Sequence, residues 1–185
     1  MSHCIEICKK EYGISQEKFE PAFAEARDMV HKALHGQAAS HSRLLYFHKL
    51  AEIIYGVSKP EFASRMEDAY WDEFLEEMEY NDGAEDFLKR AVGQGIGVCI
   101  VTDLTARIQF RKWEKLGLGR YANYIVSSEE AGIEKPEALI FELALAKLGL
   151  KSSDVIVIGD SPDKDIKGAE RLGIKSYWLD TRAVE

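Results

Sequence analysis

The stretch Val155 to Asp165, VIVIGDSPDKD, constrains the fold of this chain more than any other. Its first four residues are apolar and β-branched, which reads as a buried strand of a parallel sheet. The strand stops at Gly159, and Asp160, Asp163 and Asp165 follow at once. Carboxylates at the carboxyl end of a parallel strand sit where open α/β sheets place their active sites. Oxygen-only ligands at such a spot suit Mg2+. The stretch therefore reads as half of a metal-assisted phosphoryl-transfer site. Two like charges about 4 Å apart repel by roughly 4 kcal/mol at an effective dielectric of about 20, and a divalent cation removes that penalty. Asp163 and Asp165 also read as a solvated turn before a helix, where acids are favoured. Asp160 ends a buried strand and is harder to explain that way.

After Asn81-Asp-Gly83 the chain alternates. Helices are expected over 84–91, 105–116, 136–148 and 162–172, and strands over 96–102, 124–126, 154–158 and 174–179. Strands alternating with helices of about ten residues imply βαβ units and a parallel sheet. Before residue 83 the apolar residues recur at helical spacing instead. Phe19, Phe23, Ala26, Val30 and Leu34 mark one helix, with Ser15 as its N-cap. Leu44, Leu45, Phe47, His48, Ala51 and Ile54 mark another over 42–55, stopped by Gly56. Phe62, Met66, Ala69, Tyr70, Phe74 and Met78 mark a third over 59–80. Its outer face is acidic (Asp68, Asp72, Glu73, Glu76 and Glu77 among others), and reads as a solvated surface or as a partner site. The expected organisation is a helical lobe over residues 1–82 and an α/β core over residues 83–185.

At 185 residues, one domain or one domain with a small lobe is expected. The net charge of −8 argues against a nucleic-acid binder and against a basic membrane-surface protein. It leaves room for an anionic substrate in a local cationic pocket. No apolar run approaches the roughly 20 residues that span a membrane, and the opening residues do not read as a secretory signal. Three cysteines, Cys4, Cys8 and Cys99, form an odd, sparse set that fits a reduced cytoplasmic protein. Cys4 and Cys8 share a helix face near His3. No second ligand pair has matching zinc spacing, so they read as ordinary helix cysteines.

Two more strand ends carry chemistry. The strand before Thr102 and Asp103 ends in a hydroxyl followed by free backbone N–H groups and a helix, which can bind a phosphate oxygen. Thr102 also reads simply as a cap for that helix. In Glu134-Lys135-Pro136 the proline suits the first turn of a helix, which puts Lys135 just outside a helix N-terminus. Cations favour the other end, so the placement makes sense beside an anion, or else the lysine faces solvent.

Thr102, Lys135 and the GDxxxxD acids Asp160 and Asp165, in that order, resemble the haloacid dehalogenase-like (HAD) hydrolase superfamily. The likeness runs through the whole second half of the chain, and the helical first half is similar to the cap that this superfamily inserts after its first strand. The resemblance implies a Rossmann-like parallel sheet core with a helical cap. It also implies a mechanism. A nucleophilic aspartate on the first strand attacks phosphorus to form an aspartyl-phosphate, and a second aspartate two residues on acts as general acid and base. Thr102 and the backbone near Asp103 would hold the phosphoryl group. Lys135 would neutralise the phosphate and the nucleophile. Asp160 would ligate Mg2+, with Asp165 completing or supporting that shell.

The aspartate pair belongs to a DxDxT or DxDxV motif after an apolar strand, and no such motif is found among the 185 residues. Asp28, Asp68, Asp72, Asp82 and Asp86 sit in or beside expected helices, and Leu179-Asp180-Thr181 lacks a second aspartate two residues on. A missing central strand would also leave about a dozen backbone groups unpartnered, at about 1–3 kcal/mol each if buried. The gap would be filled by a preceding segment of a longer chain, by Cys4 to Cys8 as a strand, by closure of the sheet, or by a strand from another chain. The expectation is the first: a truncated, inactive phosphatase opening in its first cap helix.

His31, His35, His41 and His48 lie in the cap region, where His41 and Arg43 could reach a substrate or simply make interhelical contacts. The glycines of Gly93 to Gly97 precede their strand, whereas a dinucleotide-binding turn follows one. The leading expectation is a Mg2+-dependent phosphatase of a small phosphorylated metabolite. The alternatives are a non-catalytic protein of the same fold that binds a ligand or partner, and a dehalogenase, which needs the same aspartate but no metal.

Overall fold

The computed structural model describes residues 1–180; Thr181 and the rest of the expected core range lie outside the described residues. Four helices come first: α1 (Ser2–Tyr12), α2 (Gln16–Ala33), α3 (Arg43–Tyr55) and α4 (Pro60–Glu77). The α3 helix packs against both α2 and α4. Phe19, Phe47, Leu50 and Met66 are fully buried among them, and Ala26, Ala51 and Ala63 let the helix backbones approach. Ser42 caps α3 through its Oγ, which accepts from the Leu45 amide at 3.3 Å. Pro60 opens α4, where a missing N–H costs nothing.

The inward face of α4 departs from the expected one. Trp71 and Leu75 are buried, while Phe74 is 42% exposed. Trp71 packs with Leu104 and Ile108 from the second half of the chain. A helical period identifies an apolar stripe, but not that two different neighbours share it. The acidic outer face is partly engaged as well: Asp72 pairs with Arg111 at 2.6 Å, and Glu73 Oε1 accepts from Ser2 Oγ at 2.6 Å.

The second half runs α5 (Ala84–Gly93), β1 (Cys99–Thr102), α6 (Ala106–Leu116), β2 (Tyr124–Ser127), α7 (Ser128–Ala131), α8 (Ala138–Leu148), β3 (Ile156–Gly159), a π-helical turn over Pro162–Ile166 leading into α9 (Lys167–Arg171), and β4 (Lys175–Trp178). All pairing is parallel. Cys99 lies opposite Tyr124 and Thr102 opposite Ser127; Ile156 lies opposite Lys175 and Gly159 opposite Trp178. One apolar cluster around Val126, Ile140, Phe141 and Ala169 takes in Val101 of β1 and Val157 of β3, so the two strand pairs share a core built on α8.

Among the described residues, β1 and β3 are not hydrogen-bonded to each other, and each is paired along one edge. The sheet has therefore not closed up. The idea that Cys4 to Cys8 fill it as a strand is also corrected. Those residues form part of α1 and pack on Met66, with both thiols fully buried. The expectation of a strand buried on both faces fails for β3: Ile156 is 53% and Ile158 44% exposed, while Val157 faces the core. Alternate side chains point to opposite faces, and only the face toward α8 is well covered.

The expected helix over 162–172 forms, opening as a π-helical turn over Pro162–Ile166 that runs directly into α9. Ser161 caps its N-terminus. Its Oγ accepts from the Lys164 amide, and its carbonyl accepts from the amides of Asp165 and Ile166. The helix expected from residue 136 starts at Ala138, after a cis Lys135–Pro136 peptide.

Candidate active site

The carboxyl end of β1 turns sharply. Leu104 has φ +96°, a left-handed backbone that side chains with a Cβ rarely adopt. The fully buried Ser128 at the start of α7 holds it from both sides. Its Oγ accepts from the Leu104 amide at 2.9 Å and donates to the Leu104 carbonyl at 3.3 Å. Thr105 stands at the N-cap position of α6, so Thr102 is not the cap of that helix. The Thr102 hydroxyl instead donates to the Asp103 carbonyl at 3.2 Å, which also accepts from Gln109 Nε2 at 2.7 Å.

Lys135 joins this turn to the acids after β3. Its Nζ donates to the Val101 carbonyl at 3.3 Å and to Asp165 Oδ1 at 2.7 Å, while its amide donates to Asp103 Oδ1 at 3.0 Å. Asp165 is buried, and its Oδ2 accepts from the Ser161 amide at 3.0 Å. Gly159 makes that closeness possible. A Cβ there would lie 2.5 Å from Asp165 Cγ and Oδ2, well inside van der Waals contact. Thr102, Asp103, Lys135 and Asp165 thus form one connected cluster. Asp160 stands at its margin, immediately after β3, with its side chain toward solvent and its carbonyl accepting from Trp178 Nε1.

Three participants were not singled out from sequence. Lys164 Nζ donates to Asp103 Oδ2 at 2.9 Å and lies 3.8 Å from Glu134 Oε2. Burial opposes its charge, but the hydrogen bond and charge of Asp103, with Glu134 and Asp165, outweigh that and hold its pKa above the ordinary lysine value. Glu134 is buried and faces His41 Nε2 at 3.2 Å and Ser40 Oγ at 3.4 Å, which ties the helical lobe to the core. Ser128 is the third. Nothing in local sequence separates these residues from ordinary surface lysines, glutamates and serines.

A cavity of about 280 Å3 lies between the two halves. His41, Arg43 and Trp71 line it from the helical side, and Asp103, Leu104 and Lys112 from the core. His41 thus both lines the cavity and makes an inter-element contact. A second hollow of about 250 Å3, beside Val92, Ile96, Arg120 and Asn123, lies where the chain enters β1 and β2, away from this cluster.

The donor set bears on a metal. Asp160 offers a carboxylate with no hydrogen bond or ion pair among the described residues, whereas both oxygens of Asp165 are engaged. No cluster of three metal-ligating side chains occurs among the described residues. Mg2+ keeps several waters and is typically held by one or two carboxylates, and the exposed Asp160 carboxylate is of the kind that fits one place in such a shell.

The comparisons bear on the family and the fold. The family described as haloacid dehalogenase-like hydrolase matches residues 15–179. A ribulose-1,5-bisphosphate 5-phosphatase of Halopiger xanaduensis is 37% identical over 169 residues, which is 91% of this chain and 71% of that protein. The HAD phosphatase from Thermococcus onnurineus superposes with a TM-score of 0.73 at 18% identity, over 98% of this chain and 77% of that one. The HAD-hydrolase YfnB from Bacillus subtilis, in a magnesium-bound crystal form, gives 0.67 at 19%, over 97% and 80%. The two structures show the shared fold. The family match covers most of the chain, and the protein belongs to the haloacid dehalogenase-like hydrolases.

Proposed function

We propose that this chain carries the phosphate-holding part of a phosphatase site for a small phosphorylated metabolite, working through an aspartyl-phosphate. The observation that carries the reading is Lys135, whose ammonium group ties the end of β1 to Asp165 while its amide holds Asp103. Thr102 and the backbone at Asp103 would orient the phosphoryl oxygens. Lys135 would neutralise the phosphate and the attacking carboxylate. Asp165 would fix Lys135 and the turn after β3, leaving Asp160 to hold Mg2+ with Asp165 in support. When bound, the cation supplies charge neutralisation at the phosphoryl oxygens. The named function of the Halopiger relative supports a phosphorylated sugar as the substrate class. Three free cysteines support a reducing compartment such as the cytoplasm, and the acidic net charge is the ground for expecting no nucleic-acid partner.

No aspartate pair of the form DxDxT or DxDxV occurs in the 185 residues. We therefore expect turnover only when a segment bearing that pair completes the site, and the unpaired edges of β1 and β3 are the natural place for it. The test is hydrolysis of p-nitrophenyl phosphate with Mg2+ and with EDTA, by this chain and by a longer one that includes such a strand. Metal-dependent activity in the longer chain alone, lost in Asp160→Asn, is the expected result. Activity in the short chain would show that the nucleophile lies elsewhere. Silence in both would favour a binding protein of this fold, and metal-independent release of halide from a 2-haloacid would favour a dehalogenase.

A further inference from the structure

We infer that the cleft between the helical lobe and the core holds a second anion site, formed by Arg43, Lys112 and the indole N–H of Trp71. The substrate would then be a short phosphate ester with another anionic group, phosphate or carboxylate, at its far end. The inference rests on the phosphatase reading, because it takes the strand ends as the seat of the first phosphate.

Three observations converge. The first is a pair of cations without counter-charge. The Arg43 guanidinium lies 5.2 Å from the centroids of Tyr70 and Trp71, and donates to the His41 carbonyl and the Tyr70 hydroxyl. Lys112 Nζ lies 5.2 Å from the Trp71 centroid and 5.1 Å from that of Phe74. Neither cation pairs with a carboxylate among the described residues, although the largely buried Lys135 does, with Asp165. Burial and the charge of Arg43 hold the Lys112 pKa below the ordinary lysine value, as expected for a cation lacking its partner.

The second observation is Trp71 itself. It is 3% exposed, and its Nε1–H is buried with no acceptor among the described residues. Buried donors are nearly always satisfied, and an orphan of this kind needs an explanation. An anion oxygen would supply the acceptor and the counter-charge together. The third is placement. Arg43, Trp71 and Lys112 line the same cavity as Asp103 and Leu104. At about 280 Å3 it lies near the lower end of small-molecule sites, so a short two-ended molecule would bridge the strand ends and the cation pair.

The experiment is calorimetric titration of this chain, in Mg2+ buffer, with butyl phosphate and with butane-1,4-diol bisphosphate. We expect the two-ended probe to bind at least about tenfold tighter, since charge-assisted hydrogen bonds are the strong ones. Lys112→Met and Arg43→Gln should each bring the ratio of the two affinities to about threefold or less, while Arg43→Lys keeps part of it. Circular dichroism confirms that each variant is folded, and the comparison on the unmutated chain is decisive without any variant. Equal binding of the two probes overturns the inference and leaves the phosphatase reading intact. One-ended binding that ignores Lys135→Met, with the two-ended advantage still lost in Lys112→Met, overturns the phosphatase reading and keeps the anion site. Binding of neither probe overturns both.

Discussion

Lys135 Nζ lies 2.7 Å from Asp165 Oδ1, and the two side chains are only 13% and 10% exposed. Removing one partner of a buried ion pair leaves an uncompensated charge, which costs about 3–5 kcal/mol. Lys135→Met should therefore destabilise the protein by an amount near that range. Lys135→Met combined with Asp165→Leu should recover much of the loss. Urea unfolding of both variants and of each single change forms a double-mutant cycle, and strictly additive effects would deny the coupling.

Gly159 should tolerate no side chain. A Cβ there would lie 2.5 Å from the Asp165 carboxyl group, and Asp165 is held by Lys135 and Ser161. Gly159→Ala is expected to cost about 1–3 kcal/mol through overpacking and to weaken any Mg2+-dependent stabilisation. Thermal melts with Mg2+ and with EDTA measure both. A variant that melts like the parent would mean that the turn after β3 yields easily.

At Leu104 the usual order of alanine and glycine should invert. Alanine normally stabilises relative to glycine, but the φ of +96° removes that advantage. Both substitutions lose the contact with Trp71 and Ile108. Leu104→Ala retains the backbone strain, whereas Leu104→Gly relieves about 1–2 kcal/mol of it. Leu104→Gly should accordingly be the more stable of the two in urea.

His31 should make stability fall in mild acid. Burial holds its imidazole below the ordinary value of 6.5, the charges of His41, Arg27 and Arg43 push the same way, and Asp28 opposes them. Its ring also lies against the Tyr46 hydroxyl at 2.5 Å. The unfolded chain then binds a proton more readily than the folded one. The contribution is complete above about pH 6.5 and is lost as pH falls toward the lower folded value. The urea midpoint should drop between about pH 7.5 and pH 5.5, and drop less in His31→Gln. An equal drop in the variant would assign the effect to other groups.

Much of this architecture was legible in the chain. The helices near Phe19, Phe47 and Met66 and the strands near Val101 and Ile158 stand close to where periodicity puts them, because period 3.6 and period 2 are local properties. Helix and strand ends were less legible. The helix expected from 162 opens in π-helical form, because the Ser161 carbonyl accepts from the Ile166 amide five residues on, a bond that the residue types permit but do not require.

The chemistry-bearing residues and their order can be read along the chain: a hydroxyl after one strand, a lysine before a helix, acids after another strand. Tertiary structure decided which of them meet. Lys135 and Asp165 are far apart in sequence yet hydrogen-bonded, Lys164 and Glu134 joined the cluster unannounced, and Asp160 stayed at its margin. It also turned Trp71 rather than Phe74 into the buried contact between the two halves. The physical reason is that ion pairs and buried donors are settled by distance in space. A chain's local periodicity fixes the face on which a side chain lies, and only the packing of one element on another fixes what that face meets.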